Sequence, residues 1–292
     1  MGNFEGVLTA LVTPFKNGVI DFSSLGRLID EQLAADIDGI VVLGTTGESP
    51  TVTAAERLEL WKFIKQNVGT KLPLLMGTGS NSTEVTRTLT IQAEELGADG
   101  ALIVTPYYNK PPQRGLVAHY TRVAQAVSLP ILLYNVPSRC ITSMDIWTLS
   151  ELSKLPNIVG VKEASGNMDF GRQISEQCGN DFLLTSGDDG SFLSLAEVGG
   201  RGVISVMSNL APHLMKAMWQ QMKDKTSSAE AIFAPVRELN DFLYCEANPI
   251  PLKQALFEKG LIDSNELRLP LVPLAEERRV QLKTLLQGAG IL

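Results

Sequence analysis

The apolar run Ile158-Val159-Gly160-Val161 ends in a lysine, Lys162. A lysine there reads in two ways: a charge leaving a strand for solvent, or an amine held in an apolar wall where desolvation makes it a nucleophile. A free lysine has a pKa of about 10.4, so roughly one molecule in 2,500 carries a neutral amine at neutral pH. Burial that lowers it to about 7–8 corresponds to about 4 kcal/mol and yields an amine able to attack a carbonyl. The ends of the other apolar runs are rich in hydroxyls: Thr45 and Thr46 in Gly44-Thr45-Thr46-Gly47-Glu48, Thr105 to Tyr108, Tyr134 and Ser205, with Gly187-Asp188-Asp189 after the seventh run. The hydroxyl-bearing ends offer Lys162 no salt-bridge partner, which favours the amine. Tyr134 reads as a core tyrosine with a satisfied hydroxyl or, beside an imine-forming lysine, as a proton shuttle. Thr45 and Thr46, flanked by glycines, are ordinary strand-end residues or a cradle for a small carboxylate. Arg139, five residues past Tyr134, is a solvated loop charge or a bidentate carboxylate ligand.

Metal chemistry has little to draw on. The two histidines, His119 and His213, each fall in an amphipathic helical pattern, and the three cysteines, Cys140, Cys178 and Cys245, form no CxxC pair. Neither a zinc site nor a disulfide framework is expected. Carbon–carbon chemistry without imidazole ligands needs an organic electron sink, which an imine on Lys162 would supply. No cofactor and no metal are expected. Asp188 and Asp189 would repel a phosphate at the position that barrels commonly use for one. The proline-rich loop Thr105-Pro106-Tyr107-Tyr108-Asn109-Lys110-Pro111-Pro112 holds paired tyrosines on a stiff support, as a lid or a subunit contact.

These residues need a scaffold that aims strand ends at one place. Apolar runs at 6–12, 39–43, 72–77, 100–105, 130–134, 158–162, 182–186 and 202–206 predict eight strands. Most are continuous Val/Ile/Leu stretches, the pattern of parallel strands buried on both faces. Between them run helical stripes, such as Phe22, Leu25, Ile29, Leu33 and Leu116, Tyr120, Val123, Val127. Thr53-Ala54-Ala55-Glu56 reads as a capping box. Glycines at 39, 100 and 202 lead into strands, where a helix C-terminus would ask for positive φ. The repeat predicts a (β/α)8 TIM barrel over 1–224, with a C-terminal helical appendage over 225–292 and helices near 212–224, 228–246, 249–259 and 274–287. A doubly wound sheet is disfavoured because no GxGxxG follows the first strand.

Composition agrees. The 292 residues carry a net charge of −7 with 44% hydrophobic residues, which disfavours nucleic-acid or anionic-membrane partners. No export signal or membrane span is read, so a cytoplasmic location is expected.

Taken in order, Gly44-Thr45-Thr46-Gly47-Glu48, Tyr107-Tyr108-Asn109, Tyr134-Asn135-Val136-Pro137-Ser138-Arg139 and Val161-Lys162-Glu163-Ala164 resemble the dihydrodipicolinate synthase family, within the N-acetylneuraminate lyase superfamily, over nearly the whole chain. The resemblance implies a lyase that captures pyruvate as an imine on Lys162 and joins it to L-aspartate 4-semialdehyde, in lysine and diaminopimelate biosynthesis. It implies a relay of Tyr134, Thr45 and Tyr108, with Tyr108 reaching in from a neighbouring subunit of a homotetramer. Thr45 and Thr46 would hold the pyruvate carboxylate, Arg139 that of the semialdehyde, and Gly187 and Ile204 would line the pocket through main-chain groups. Relatives that cleave N-acetylneuraminate or 2-keto-3-deoxy sugar acids share the lysine and tyrosine but generally lack the Ser138-Arg139 ending. A non-catalytic pyruvate or amino-acid sensor, the rival from another class, would not need the whole set. In lysine-inhibited members the allosteric pocket corresponds to Ser49, Pro50, Ala54, Arg57, Asn81, Val85 and Tyr107. Ala54 and Arg57 stand where sensitive forms have histidines, and Val85 replaces a carboxylate, with Glu84 one position away. Weak or absent lysine feedback is expected.

Overall fold

The computed structural model describes residues 4–224 and 229–292. Strand β1 (Gly6–Ala10) is followed by a short antiparallel hairpin, β2 (Phe15–Lys16) and β3 (Val19–Ile20). Then come β4 (Gly39–Val42), β5 (Leu74–Gly77), β6 (Gly100–Val104), β7 (Ile131–Asn135), β8 (Ile158–Glu163), β9 (Leu183–Ser186) and β10 (Gly202–Ser205). All but the hairpin strands close into a barrel in which each strand neighbours the next in sequence and β1 meets β10. Helices Phe22–Ala34, Ala54–Val68, Thr83–Glu95, Gln113–Ala124, Ile146–Leu152, Met168–Gln177, Phe192–Glu197 and Pro212–Lys223 follow the barrel strands in turn. The expected (β/α)8 architecture is the observed one. The hairpin was not expected, although Asn17-Gly18 is its signal: both residues have positive φ (55° and 80°), as a two-residue primed turn requires.

The chain packs as two compact units, one of Met1–Leu8 with Pro73–Ile204 and one of Thr9–Leu72 with Ser205–Leu292. In the first, β5 to β9 are hydrogen-bonded in parallel and almost wholly buried. In the second, helices Ile250–Glu258 and Glu276–Gly288 match expectation. The stretch expected as one helix over 228–246 is instead Ala229–Phe233, a 3₁₀ turn Ala234–Val236 and Arg237–Phe242. Pro235, which has no amide proton to donate, sits at the break. Residue 228 lies within 225–228, which the expected boundary after 224 adjoins and which is outside the described residues. No described helix is long and apolar enough to cross a membrane.

Two details of the sequence reading need correction. Gly100 and Gly202 do not have positive φ; the left-handed residues are Asp36, Gly97 and Gly199, each three positions earlier. Gly100 and Gly202 are glycine for space. A Cβ on Gly100 would lie 2.7 Å from the Phe4 ring, and one on Gly202 would strike the Gly6 backbone, 2.7 Å from its nitrogen. The stripe on Phe22–Ala34 runs through Leu25, Leu28, Ile29 and Gln32, with Leu33 only half-buried. Gln32 is fully buried because it is satisfied: Thr9 Oγ1 donates to its Oε1 at 2.5 Å, and its Nε2 donates to the Ser208 carbonyl at 3.0 Å.

Gly160, inside β8, is held to its neighbour even more closely, since a Cβ there would overlap the Leu183 carbonyl. Gly160→Ala is expected to cost about 1–3 kcal/mol through forced backbone shifts, read as a lower urea-unfolding midpoint.

Candidate active site

Strand register builds the centre. Tyr134 on β7 pairs with Lys162 on β8, and Lys162 pairs with Thr185 on β9. Registered residues on parallel neighbours share a face, so these side chains emerge together while Asn135 and Glu163 emerge on the other side. Lys162 is 5% exposed, and its Nζ lies 4.4 Å from the centroid of the Tyr134 ring. Desolvation pushes the amine down from 10.5 to about 8. The charge of Asp189 opposes this, Arg139 assists it and Asp188 opposes it more weakly. Gly187 leaves room for the lysine stem: a Cβ there would lie 3.1 Å from Lys162 Cε. Its amide donates to the Glu163 carbonyl at 2.7 Å, continuing the β8–β9 ladder past the strand end. Ile204 is wholly buried on β10, next to the Val203–Ser186 pair. Thr185 is fully buried and its hydroxyl has no hydrogen-bond partner.

The other unit holds Thr45 and Thr46. The loop after β4 is folded by turn bonds from the Gly47 amide to the Gly44 carbonyl (3.2 Å) and from the Glu48 amide to the Thr45 carbonyl (3.1 Å). Thr45 is half-buried and Thr46 buried, with Thr46 Oγ1 accepting from Asn248 Nδ2 at 2.9 Å. That acceptance leaves the Thr46 hydroxyl proton to point elsewhere, a donor suited to a carboxylate. Glu48, with left-handed φ of 52°, is buried in an ion pair with Lys253 and also accepts from the Arg268 amide at 3.1 Å. Lys253 Nζ and Arg268 Cζ each lie 4.2 Å from the Phe15 ring. Arg268 further grips Glu56, the N3 residue of the predicted capping box, at 2.5 and 2.8 Å, and helps hold that carboxyl down at about 2.

The rest of the predicted set lies on loops of the first unit. Arg139 belongs to the short helix Pro137–Cys140 and is exposed, yet close enough to Lys162 to oppose its protonation. Tyr108 is 89% exposed, on a backbone with φ 73°. All three cysteines are free, and no cluster of described residues could hold a metal ion.

The model of the Dihydrodipicolinate synthetase family matches residues 3–289. The chain belongs to that family. A 4-hydroxy-tetrahydrodipicolinate synthase of Bdellovibrio bacteriovorus is 49% identical over 294 residues, covering 100% of both chains. Among solved structures, a dihydrodipicolinate synthase from Thermotoga maritima shares 42% identity at a TM-score of 0.97, covering 99% of each chain. A monomeric dihydrodipicolinate synthase variant shares 43% identity, also at 0.97, with 99% of this chain and 98% of that one covered.

The sequence places Asp188 and Asp189 at a strand end and gives them no role beyond repelling phosphate, whereas Asp189 is 1% exposed and is the charge that acts most strongly on Lys162. It also gives no sign of Asn248, Lys253 and Arg268, which reach the loop after β4 from more than two hundred residues away and carry no local signal. Because the amine attacks only when neutral, borohydride trapping of pyruvate on Lys162 is expected to rise with pH through about 8. Asp189→Asn, by removing a charge that favours the ammonium, is expected to shift that rise to lower pH. A shift to higher pH would contradict the electrostatic account.

Proposed function

We propose that the protein condenses pyruvate with L-aspartate 4-semialdehyde to 4-hydroxy-tetrahydrodipicolinate, as a cofactor-independent lyase of lysine and diaminopimelate biosynthesis in the cytoplasm. The observation that carries this is the buried amine of Lys162, lowered by desolvation and without an ion pair among the described residues, beside Tyr134 in a chain of this family. The neutral amine adds to the pyruvate ketone and water leaves, giving an imine. The protonated imine nitrogen draws electrons from the adjacent methyl, which loses a proton and becomes an enamine nucleophile. The enamine carbon attacks the aldehyde, and the amino group of the semialdehyde then displaces Lys162 as the ring closes.

Tyr134, Thr45 and Tyr108 are assigned the proton relay and Thr46, with Thr45, the pyruvate carboxylate. Arg139 is assigned the semialdehyde carboxylate, and Gly187 and Ile204 the pocket wall. An exposed Tyr108 on a proline-stiffened loop suits donation to a neighbouring subunit, so the working form is assigned as a homotetramer built from dimers. Lys162→Ala is expected to abolish both the borohydride adduct with pyruvate and formation of the cyclic product. Turnover of N-acetylneuraminate or 2-keto-3-deoxygluconate in preference to the semialdehyde would overturn the assignment.

Lysine feedback is assigned as weak or absent. Val85 offers an ammonium no counter-charge, and Glu84 is already shared between Arg87 at 2.9 Å and Arg122 at 3.7 Å. Arg57, whose Nη1 donates to Ser49 Oγ at 2.9 Å, adds a positive charge. Burying an unpaired ammonium costs several kcal/mol. An inhibition titration is expected to find no half-maximal effect at sub-millimolar lysine.

A further inference from the structure

The segment carrying Arg139 is fastened more firmly than an exposed loop requires. After Pro137–Cys140, Ile141 has φ 63° and is 71% exposed. A β-branched residue rarely adopts that conformation, which costs about 1–3 kcal/mol and persists only where surrounding bonds impose it. Those bonds are present. Thr105 Oγ1 donates to the Thr142 carbonyl at 3.4 Å, and Gln113 Nε2 donates to the Ser143 carbonyl at 2.8 Å. Gln113 Oε1 accepts from the Asp145 amide at 3.1 Å and from Thr148 Oγ1 at 2.7 Å.

The innermost fastening is Asn135, fully buried at the end of β7. Its Oδ1 accepts from the Met144 amide at 3.0 Å and from Ser143 Oγ at 3.3 Å, closing the excursion that contains Arg139. Its Nδ2 donates to Glu163 Oε2 at 2.8 Å, and Glu163 Oε1 accepts from the Ser165 amide at 2.6 Å. One buried pair thus joins the strand end that carries Tyr134, the strand end that carries Lys162, and the return of the Arg139 loop. Asn135 and Glu163 lie on the face opposite Lys162, so neither touches reacting atoms.

We infer that Asn135, latched to Glu163, is a positioning residue that sets the Arg139 guanidinium and so governs recognition of the carboxylate on the second substrate. Bidentate capture of a carboxylate is directional, so a small displacement of the fork loses most of it. The inference rests on the proposed reaction and concerns only its second substrate.

The test is Asn135→Leu, which keeps the side-chain bulk and removes both sets of bonds. The KM for L-aspartate 4-semialdehyde is expected to rise about tenfold while the KM for pyruvate stays within about twofold. Borohydride trapping of pyruvate should persist, with its pH dependence moved upward because the Arg139 charge no longer opposes protonation of Lys162. An unchanged semialdehyde KM, or equal rises for both substrates, would overturn the inference. Should Asn135→Leu fail to fold, Asn135→Asp keeps the shape and the oxygen that accepts from Met144 but loses the donor to Glu163 and sets two carboxylates against each other, opening the latch. It is expected to raise the semialdehyde KM at least about threefold with the pyruvate KM unmoved, and no change there would equally overturn the inference. A parent protein that neither traps pyruvate nor consumes the semialdehyde would instead sink the proposed reaction itself, so the two failures are separable.

Discussion

A positive charge is unwelcome away from water, and among the described residues two lysines are buried, one on a barrel strand and one on a C-terminal helix. Lys253 and Lys162 are both buried and both pushed down to about 8 by desolvation. Their partners differ. Lys253 is committed to the Glu48 carboxylate, the Glu266 carbonyl at 2.9 Å and the Phe15 ring. Lys162 has no ion pair among the described residues and faces the Tyr134 ring, with the aspartates acting at longer range. An amine that is dry and unpaired loses its proton most readily to chemistry, while one that is dry and paired holds a loop in place.

The polar groups packed behind the two clusters serve that contrast. Asn135 and Glu163 fasten the ends of β7 and β8 from the face away from Lys162. Asn248, Lys253 and Arg268 do the same for the loop holding Thr45 and Thr46. The C-terminal helices are therefore more than an addition to a finished barrel: one of them supplies the lysine on which the Glu48 turn closes. Breaking a buried pair of this kind typically costs about 3–5 kcal/mol, because the remaining charge has nowhere to go. Such a network tolerates little change in any member.

Most of the architecture was legible along the chain. Continuous apolar runs gave the strands, the capping box at Thr53 began its helix, and the motifs around Lys162 and Tyr134 carried the family resemblance. The errors have physical causes. The pattern assigns Gly100 and Gly202 to helix ends of positive φ, when close packing against Phe4 and Gly6 is what excludes a side chain. Gln32 was passed over for Leu33, since a glutamine enters a core only when partners such as Thr9 and Ser208 are waiting.

The sequence by itself determined which side chains stand at strand ends, because alternation and run length depend on neighbours a few residues apart. The placing of Tyr134 and Lys162 toward the ends of neighbouring strands followed from that alone. Only the tertiary structure decided which amine is unpaired, which aspartate acts on it and which buried amide latches the arginine loop. Desolvation and ion pairing depend on residues remote in sequence and close in space, and no local pattern records them.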